Sequence, residues 1–415
     1  MNNHLAVYLI AFLSIAGVII RPFKITEYIW AVSGALLLLI CGLILPVDAF
    51  SGLSKGNDVY LFLTGMMLLA ETAREEKLFD WLAAHATNLA KGFPYRLFML
   101  IYLVGVIVTA LLSNDATAVV LTPAVAAAAK AANVKKPLPY LLICAFVANA
   151  ASFVLPISNP ANLVIYGKYM PSLLRWLAQY MWPSLVSIIV TYLLLLLTQR
   201  SALKQTIENK IEVPTLSLGG KTALLGIIAT AVILLVASAF NMQLGLPTAV
   251  AGIITSAVVI LNARKNPWSV IKGVSWSVLP LVGGLFIIVE ALKNTGLINY
   301  LSAMLQQSLA GSTTVAVGTS GFIIALACNL ANNLPVGLIA GSAVQTGHLP
   351  ELIKSALLIG VDLGPNLSIT GSLATILWLV ALRREGIIVK AWTFLKLGLL
   401  IMTVALAFTL AALWL

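Results

Sequence analysis

Two carboxylates and a set of amide and hydroxyl side chains stand inside otherwise apolar stretches of the sequence. The carboxylates are Asp115 and Asp362, and the neutral polar residues are Ser113, Asn114, Thr117, Asn162, Asn332, Asn333 and Asn366. Amide side chains both donate and accept hydrogen bonds, which suits a small polar solute or a cation that sheds its water. The same asparagines would also serve to cap broken helix ends. The pattern therefore predicts either a polar binding site or a set of helix caps.

The two carboxylates are the candidates for proton transfer. A carboxyl group in a partly desolvated cavity favours its neutral form, so Asp115 and Asp362 could each take up and release a proton. The alternative is a fixed carboxylate that caps a helix or binds a cation. Asp115 stands in a polar stretch, SNDATAVVLTP, and the residue aligned with it in the corresponding stretch of the second half, CNLANNLPVG, is Asn333. We therefore expect Asp115 to be the main coupling residue, with Asp362 as its partner.

The elements that must position these residues are two long apolar runs with polar centres. Residues 97–129 contain SNDATAVVLTP, and residues 313–347 contain CNLANNLPVG. Each run is too long for one ordinary membrane span and too short for two. We predict a re-entrant hairpin for each run, with its tip at the polar residues, because irregular backbone at membrane depth must be buried in protein or line a wet cavity.

Two further polar breaks interrupt apolar helices. Residues 155–167 read LPISNPANLVIYG, and residues 361–371 read VDLGPNLSITG. Prolines, asparagines and glycines at this density should unwind a helix. We therefore predict two broken helices whose exposed backbone groups add to the site.

The composition identifies the class of protein. The chain has 415 residues, of which 60% are hydrophobic and 9% are charged, and its mean hydropathy is +1.02. These values predict an all-α polytopic membrane protein in a lipid bilayer. The net charge of +11 comes from basic residues scattered over short loops, which argues against nucleic-acid binding. The isolated cysteines and histidines predict neither a disulfide framework nor a metal site.

The two halves of the chain resemble each other. Glu71 aligns with Glu290, Asn114 with Asn332, and Asn162 with Asn366. We predict a first repeat at 1–198, a cytoplasmic linker at 199–220 and a second repeat at 221–415. Each repeat would contain five transmembrane helices and one hairpin, ten helices and two hairpins in all, and an odd number of crossings inverts the second repeat. Each glutamate lies beside an amphipathic segment, which favours an interfacial role.

The distribution of basic residues predicts the orientation. If the N-terminus lies outside, only five of the 25 lysines and arginines lie on the outer side of the membrane: Lys55, Lys168, Arg175, Lys293 and Lys354. Cytoplasmic loops carry the excess of basic residues in membrane proteins. We therefore expect the N-terminus outside and the first hairpin opening from the cytoplasm.

Three segments carry a resemblance to a known family. SNDATAVVLTP, NNLPVGLIAGSA and VDLGPNLSITGSLATILWL resemble the signature segments of ArsB-type arsenite efflux transporters, within the ion-transporter superfamily. The resemblance implies export of arsenite and antimonite across the inner membrane, driven by the proton motive force without a cofactor. It also implies, as in some members, a cytoplasmic ATPase partner. The family's site residues correspond to Asn114, Asp115, Asn332, Asn333, Asp362 and Asn366.

Other functions stay open at this point. The same superfamily contains sodium-coupled carboxylate and sodium/proton transporters, although no lysine or arginine falls at the four breaks to bind a carboxylate. A passive channel is a third possibility, which the inverted repeat and the intramembrane carboxylates disfavour. Cys328 could be a thiol ligand for arsenic, but tight thiolate binding would slow release. Gly220-Lys221-Thr222 lacks the first glycine of a phosphate-binding loop, so we expect a transporter that does not itself hydrolyse ATP.

Overall fold

A computed structural model describes residues 3–240, 242–263, 266–309, 311–347 and 349–415. Arg264 and Lys265, which contribute to the predicted charge asymmetry, lie outside the described residues, as do the first two residues of the chain. Across the described residues every regular element is a helix. This confirms the prediction of an all-α protein.

The first half of the chain contains long helices interleaved with short ones. They are α1 (Asn3–Ile20), α2 (Glu27–Ile40), α3 (Pro46–Lys55), α4 (Asn57–Glu75), α5 (Leu78–Leu89), α6 (Pro94–Leu111), α7 (Asn114–Ala116), α8 (Thr122–Ala131), α9 (Leu138–Ala150), α10 (Pro160–Tyr166) and α11 (Leu173–Gln199). A π-helical turn, Thr117–Leu121, joins α7 to α8. Several of these helices begin at proline, whose fixed φ suits the first helical position.

The second half follows with a similar order of elements. They are α12 (Leu218–Ala239), α13 (Gly245–Ala263), α14 (Pro267–Gly273), α15 (Val278–Asn294), α16 (Leu297–Leu309), α17 (Thr313–Ala331), α18 (Asn333–Gly347), α19 (Glu351–Leu363), α20 (Leu373–Arg384) and α21 (Ala391–Ala411). The segment 200–217 between the halves is hydrogen-bonded to the first half. Ile211 N–H donates to Asn88 Oδ1 at 2.8 Å, and Glu208 N–H donates to Ala132 O at 3.0 Å.

Eight helical segments in the described part of the chain are long and apolar enough to cross a membrane. They are Asn3–Ile20, Pro94–Leu111, Leu173–Gln199, Leu218–Ala239, Gly245–Ala263, Pro267–Asn294, Thr313–Ala331 and Ala391–Trp414. Two of them, α6 and α17, are the first arms of the predicted hairpins. Length alone therefore does not distinguish a re-entrant arm from a full crossing.

One group of helices forms a scaffold that interlaces the two halves. Helix α4 packs against α13, and α15 packs against α2. Small residues allow these close approaches: a Cβ on Gly65 would lie 2.2 Å from Thr248 O, and a Cβ on Gly284 would lie 2.7 Å from the carbonyl carbon of Ala31. Close backbone approach at glycine is the usual way in which helices pack in lipid.

A second group, which we call the core group, contains the predicted hairpins and broken helices. Helix α10 packs on α18, α20 packs on the π-helical turn before α8, and α11 packs on α21. Trp378 on α20 donates from Nε1 to Leu141 O on α9 at 2.8 Å. The core group therefore also draws on both halves of the chain.

The two breaks lie somewhat apart from the predicted positions. The first break covers residues 151–159, which contain only the short 3₁₀ turn Pro156–Ser158, and residues 160–166, which we expected to be unwound, form α10. The reason is local, since Asn159 Oδ1 accepts from Ala161 N–H at 3.0 Å and Pro160 takes the first helical position. An asparagine-proline pair starts this helix instead of ending one. The second break passes through a 3₁₀ turn, Gly364–Leu367, before α20.

Candidate functional site

The first tip, residues 112–117, is a turn closed by its own polar side chains. Ser113 Oγ accepts a hydrogen bond from Ala116 N–H at 3.2 Å, and Asn114 Oδ1 accepts one from Asp115 N–H at 2.9 Å. Thr117 shares a 2.8 Å hydroxyl–hydroxyl contact with Thr109 on α6. Ser113, Asn114 and Thr117 are buried. Asn114 and Thr117 thus hold the shape of the turn, which was one of the two roles that the sequence allowed.

A cavity lies between this tip and the scaffold. Its empty volume is about 630 Å³, including the space open to solvent. Ser113 and Asp115 line it from the tip, Pro160 and Leu373 line it from the first turns of α10 and α20, and Glu71 lines it from α4. The core group and the scaffold therefore meet at a hollow that contains two of the predicted site residues.

Asp115 is the carboxylate of the core group in this cavity. Its side chain is half-buried. Within the described part of the chain no hydrogen bond to its carboxylate oxygens is present, whereas its backbone N–H is held by Asn114. A carboxylate that is partly buried and free of structural partners can exchange a proton or a ligand without breaking the fold.

Asp362 belongs to a separate polar network, buried between the two breaks. Asn159 Nδ2 donates to Asp362 Oδ1 at 2.6 Å, and Asn149 Nδ2 donates to Asn366 Oδ1 at 2.9 Å. Asn162 Nδ2 donates to Ser152 O at 2.9 Å. All of these side chains are almost completely buried. The network connects the two halves of the chain through side-chain hydrogen bonds.

Three oxygens in this network accept no hydrogen bond of good geometry from the described residues, although the Ser152 side chain lies close to Asp362. They are Asn149 Oδ1, Asn162 Oδ1 and Asp362 Oδ2. Buried polar atoms are normally paired, so unpaired acceptors in a core suggest a proton, a water molecule or a cation as their partner. No group of three or more His, Cys, Asp or Glu side chains that could hold a metal ion occurs in the described part of the chain.

The second tip is tied to the break of its own half. Asn333 N–H donates to Gly371 O at 2.9 Å, and Asn332 Nδ2 donates to Thr370 O at 3.4 Å. Asn332 has a positive φ of 65°, which asparagine tolerates better than most residues. Neither asparagine lines the cavity beside Asp115.

Cys328 lies away from the cavity. It is fully buried, and its Sγ lies 3.9 Å from Val361 O. This position makes it a packing residue next to α19 rather than a ligand for a solute in the cavity.

Sequence reasoning missed three residues that the structure places in these sites. Asn149 and Asn159 bond to predicted residues, and Glu71 lines the cavity although an interfacial role was expected. The polar break containing Asn159 was a usable signal. Asn149 stood alone in an apolar run, and only its distant partner Asn366 explains it.

Comparison with known proteins agrees with a transporter. The family model described as "Citrate transporter" matches residues 15–361. The "Arsenical pump membrane protein" of Escherichia coli strain K12 is 28% identical over 398 residues, which cover 92% of each chain. The protein of the same name from Yersinia enterocolitica is 28% identical over 350 residues, which cover 82% of each chain.

A solved structure shares the fold. The YdaH transporter of Alcanivorax borkumensis superposes with a TM-score of 0.59 at 15% identity, covering 88% of this chain and 86% of that one. At this identity the likeness concerns the fold alone.

These matches confirm the resemblance to arsenite efflux transporters of the ion-transporter superfamily. With its apolar helices, the chain is a multi-pass membrane protein, which in bacteria lies in the inner membrane. It is a transporter and not an enzyme. The chain therefore belongs to the citrate transporter family, and it is similar to the arsenical pump membrane proteins.

Proposed function

We propose that this chain is a secondary active transporter that exports arsenite and antimonite in exchange for protons by alternating access. The observation that carries the proposal is the cavity lined by Ser113 and Asp115, in a chain whose relatives are named arsenical pumps. Arsenite near neutral pH is mainly an uncharged trihydroxide, a compact set of hydroxyl donors and acceptors. Hydroxyl and carboxylate groups suit such a solute, whereas an anion would require basic residues.

Reciprocal contacts support an inverted repeat as the basis of alternating access. Helix α4 of the first half packs on α13 of the second half, and α15 of the second half packs on α2 of the first half. In the order of elements α4 corresponds to α15 and α2 corresponds to α13, so the two contacts are equivalent. Gly65 and Gly284, which align in the sequence, make the close approaches in these two contacts. The second arm α18 packs on α10, while α20 packs on the second arm of the first hairpin.

The helix bounds refine the proposed alignment of the repeats. Both second arms begin at asparagine, Asn114 and Asn333, so these two residues correspond, and Asn332 corresponds to Ser113. In this alignment Asp115 corresponds to Leu334, so Asp115 still has no carboxylate counterpart in the second half.

The broken helices are realigned in the same way. Helices α9 and α19 each contain 13 residues and follow a proline. Their penultimate residues are Asn149 and Asp362, which therefore form the corresponding pair. Asn162 and Asn366, which were aligned from sequence, differ in position: Asn162 lies in α10 after the first break, whereas Asn366 lies in the 3₁₀ turn within the second break.

Asp115 and Asp362 are the proposed proton carriers. Asp115 is reached from the cavity, whereas Asp362 is fully buried and has one oxygen that lacks a described partner. Each carboxylate can therefore change protonation without losing an ion pair among the described residues. The proton motive force would supply the energy, and a cytoplasmic ATPase stays a proposed partner by resemblance alone.

The proposal also includes the orientation of the chain in the membrane. With the N-terminus outside, the first tip and its cavity face the cytoplasm, as an exporter needs for loading its substrate. The tips would then lie within the membrane as re-entrant turns. Contacts with the two breaks support this placement, since Ser158 Oγ donates to Ala110 O at the end of α6, Asn332 Nδ2 of the second tip donates to Thr370 O, and a turn at membrane depth must be covered by protein.

A sodium-coupled carboxylate or sodium/proton transporter is the second candidate. The unpaired oxygens of Asn149, Asn162 and Asp362 favour it, because a dehydrated sodium ion prefers carbonyl and carboxylate oxygens. The name of the matching family model points to the same class.

Ligand-dependent stability separates the two candidates. Purified protein in nanodiscs should melt at a higher temperature with arsenite or antimonite, because a ligand that binds only the folded state stabilises it. Stabilisation by sodium and citrate without any response to arsenite would favour the second candidate. In a host lacking its own pump, the chain should restore growth on arsenite, and failure of a well-expressed protein to do so would contradict the proposal.

A further inference from the structure

Glu71 lines the same cavity as Asp115, from the scaffold rather than from the tip. It lies on the scaffold helix α4 and is only 6% exposed. Its neighbours in the wall include Gly273 from α14, against which the carboxylate is packed: a Cβ on Gly273 would lie 1.5 Å from Glu71 Oε1. The position of this carboxylate therefore depends on the absence of a side chain at residue 273.

Arg74 orients the Glu71 carboxylate. Arg74 Nε donates to Glu71 Oε2 at 2.9 Å, and an Arg74 terminal nitrogen donates to Glu71 Oε1 at 2.5 Å and to Glu75 Oε1 at 2.6 Å. A carboxylate can accept about four hydrogen bonds, so this pair leaves Glu71 about two acceptor positions. Because Arg74 is shared between two carboxylates, it offers no uncompensated positive charge.

The described residues that line the cavity include two carboxylates and no lysine, arginine or histidine. An anion entering this space would lose hydration without gaining a cationic partner, which is unfavourable. An uncharged solute with several hydroxyl groups can instead donate hydrogen bonds to both walls. The rest of the lining is mainly apolar and contains Met66 and Met67.

We propose that Glu71 is a substrate-binding residue of the scaffold which, with Asp115 on the core group, makes the cavity select uncharged polyhydroxy solutes over anions. The inference rests on the proposed function and names the substrate class of the same cavity. The uncharged trihydroxides of trivalent arsenic and antimony belong to this class. Citrate and arsenate, which are anions, do not.

Glu290 provides a matched control. It aligns with Glu71, accepts a hydrogen bond from Lys55 Nζ at 2.5 Å and packs near a glycine of the other half, because a Cβ on Gly52 would lie 3.0 Å from Glu290 Cβ. It does not line the cavity. Glu71→Gln and Glu290→Gln therefore remove equivalent carboxylates, of which only the first faces the proposed substrate.

The experiment measures initial arsenite transport in proteoliposomes as a function of arsenite concentration. Replacing a charged acceptor by a neutral amide should weaken the hydrogen bonds from the substrate and raise the half-saturating concentration about tenfold in Glu71→Gln, and leave Glu290→Gln within about twofold of the unchanged protein. Glu71→Asp should retain most of the affinity because it keeps a carboxylate. Citrate and arsenate should not compete with arsenite in the unchanged protein.

Gly273→Ala tests the same inference without altering Glu71. The new methyl group must displace the carboxylate, so the half-saturating concentration should rise, whereas Gly52→Ala should have little effect on it. This pair also carries the test should Glu71→Gln fail to fold. An unchanged half-saturating concentration in Glu71→Gln or Gly273→Ala, an equal shift in the Glu290 variant, or competition by citrate would overturn the inference. Absence of arsenite transport by the unchanged protein would instead overturn the proposed function.

Discussion

Replacing Asn159 by alanine should destabilise the protein by an amount that can be divided between two hydrogen bonds. Asn159 Oδ1 caps α10 through Ala161 N–H at 3.0 Å, and Asn159 Nδ2 donates to Asp362 Oδ1 at 2.6 Å across the two halves of the chain. Loss of an N-cap costs about 1 kcal/mol. Loss of a buried hydrogen bond to a carboxylate costs about 2 kcal/mol more. We therefore expect Asn159→Ala to lower the free energy of unfolding by about 3 kcal/mol.

Two further variants separate the contributions. Asn266 caps α14 in the same way, because its Oδ1 accepts from Trp268 N–H at 3.0 Å and a proline follows it, but it lies on the surface. Asn266→Ala should therefore cost about 1 kcal/mol or less. Asn159→Ser keeps a capping oxygen and loses the reach to Asp362, so it should cost about 2 kcal/mol.

Equilibrium unfolding in mixed detergent micelles, followed by tryptophan fluorescence, gives these free energies when the transition is reversible. The reasoning predicts the order Asn159→Ala, then Asn159→Ser, then Asn266→Ala, from the largest loss to the smallest. Equal losses for Asn159→Ala and Asn266→Ala would refute it, because the bond to Asp362 would then contribute nothing.

Further predictions concern coupling, packing and surface charge. Asp115→Asn should abolish proton-coupled arsenite uptake while the protein keeps its melting temperature, and uptake that still collapses with a protonophore would exclude this role. Asp362→Asn should also uncouple transport, measured as arsenite flux against lumenal pH, and an unaltered pH dependence would contradict that assignment. Gly65→Leu should prevent α4 from packing on α13 and reduce the yield of folded protein, while Leu61→Ala on the exposed face of α4 should not; equal yields would contradict the packing argument. Lys55→Ala breaks a partly exposed pair with Glu290 and should cost less than about 1 kcal/mol in the same unfolding assay, so a larger loss would show that the pair is a main inter-half contact.

The sequence was sufficient to predict the all-helical class of fold and the interruption of the helix after Leu111. Polar residues in the middle of an apolar run are costly in a membrane, so Ser113 and Asp115 could be recognised as candidates from their surroundings alone. The presence of several long apolar helices could be predicted for the same reason, since hydropathy determines which segments are buried in lipid.

The pairing of distant polar residues could not be predicted in this way. Asn149 and Asn366 meet only after the two halves have packed, and nothing in the neighbourhood of Asn149 indicates its partner. The start of α10 depended on capping by Asn159, which outweighed the helix-breaking tendency expected of Pro160. The burial of Glu71 against Gly273 could not be predicted, because it arises from a contact between the halves.

The measurement that tests the central claim most directly is arsenite uptake into everted membrane vesicles that contain this protein. In everted vesicles the cytoplasmic face is exposed, so an exporter moves arsenite into the lumen while protons leave it. We predict that an acidic lumen drives accumulation of arsenite and that a protonophore abolishes it. Vesicles with well-expressed protein that accumulate no arsenite, or that accumulate it equally with and without the protonophore, would contradict the proposal of proton-coupled arsenite export.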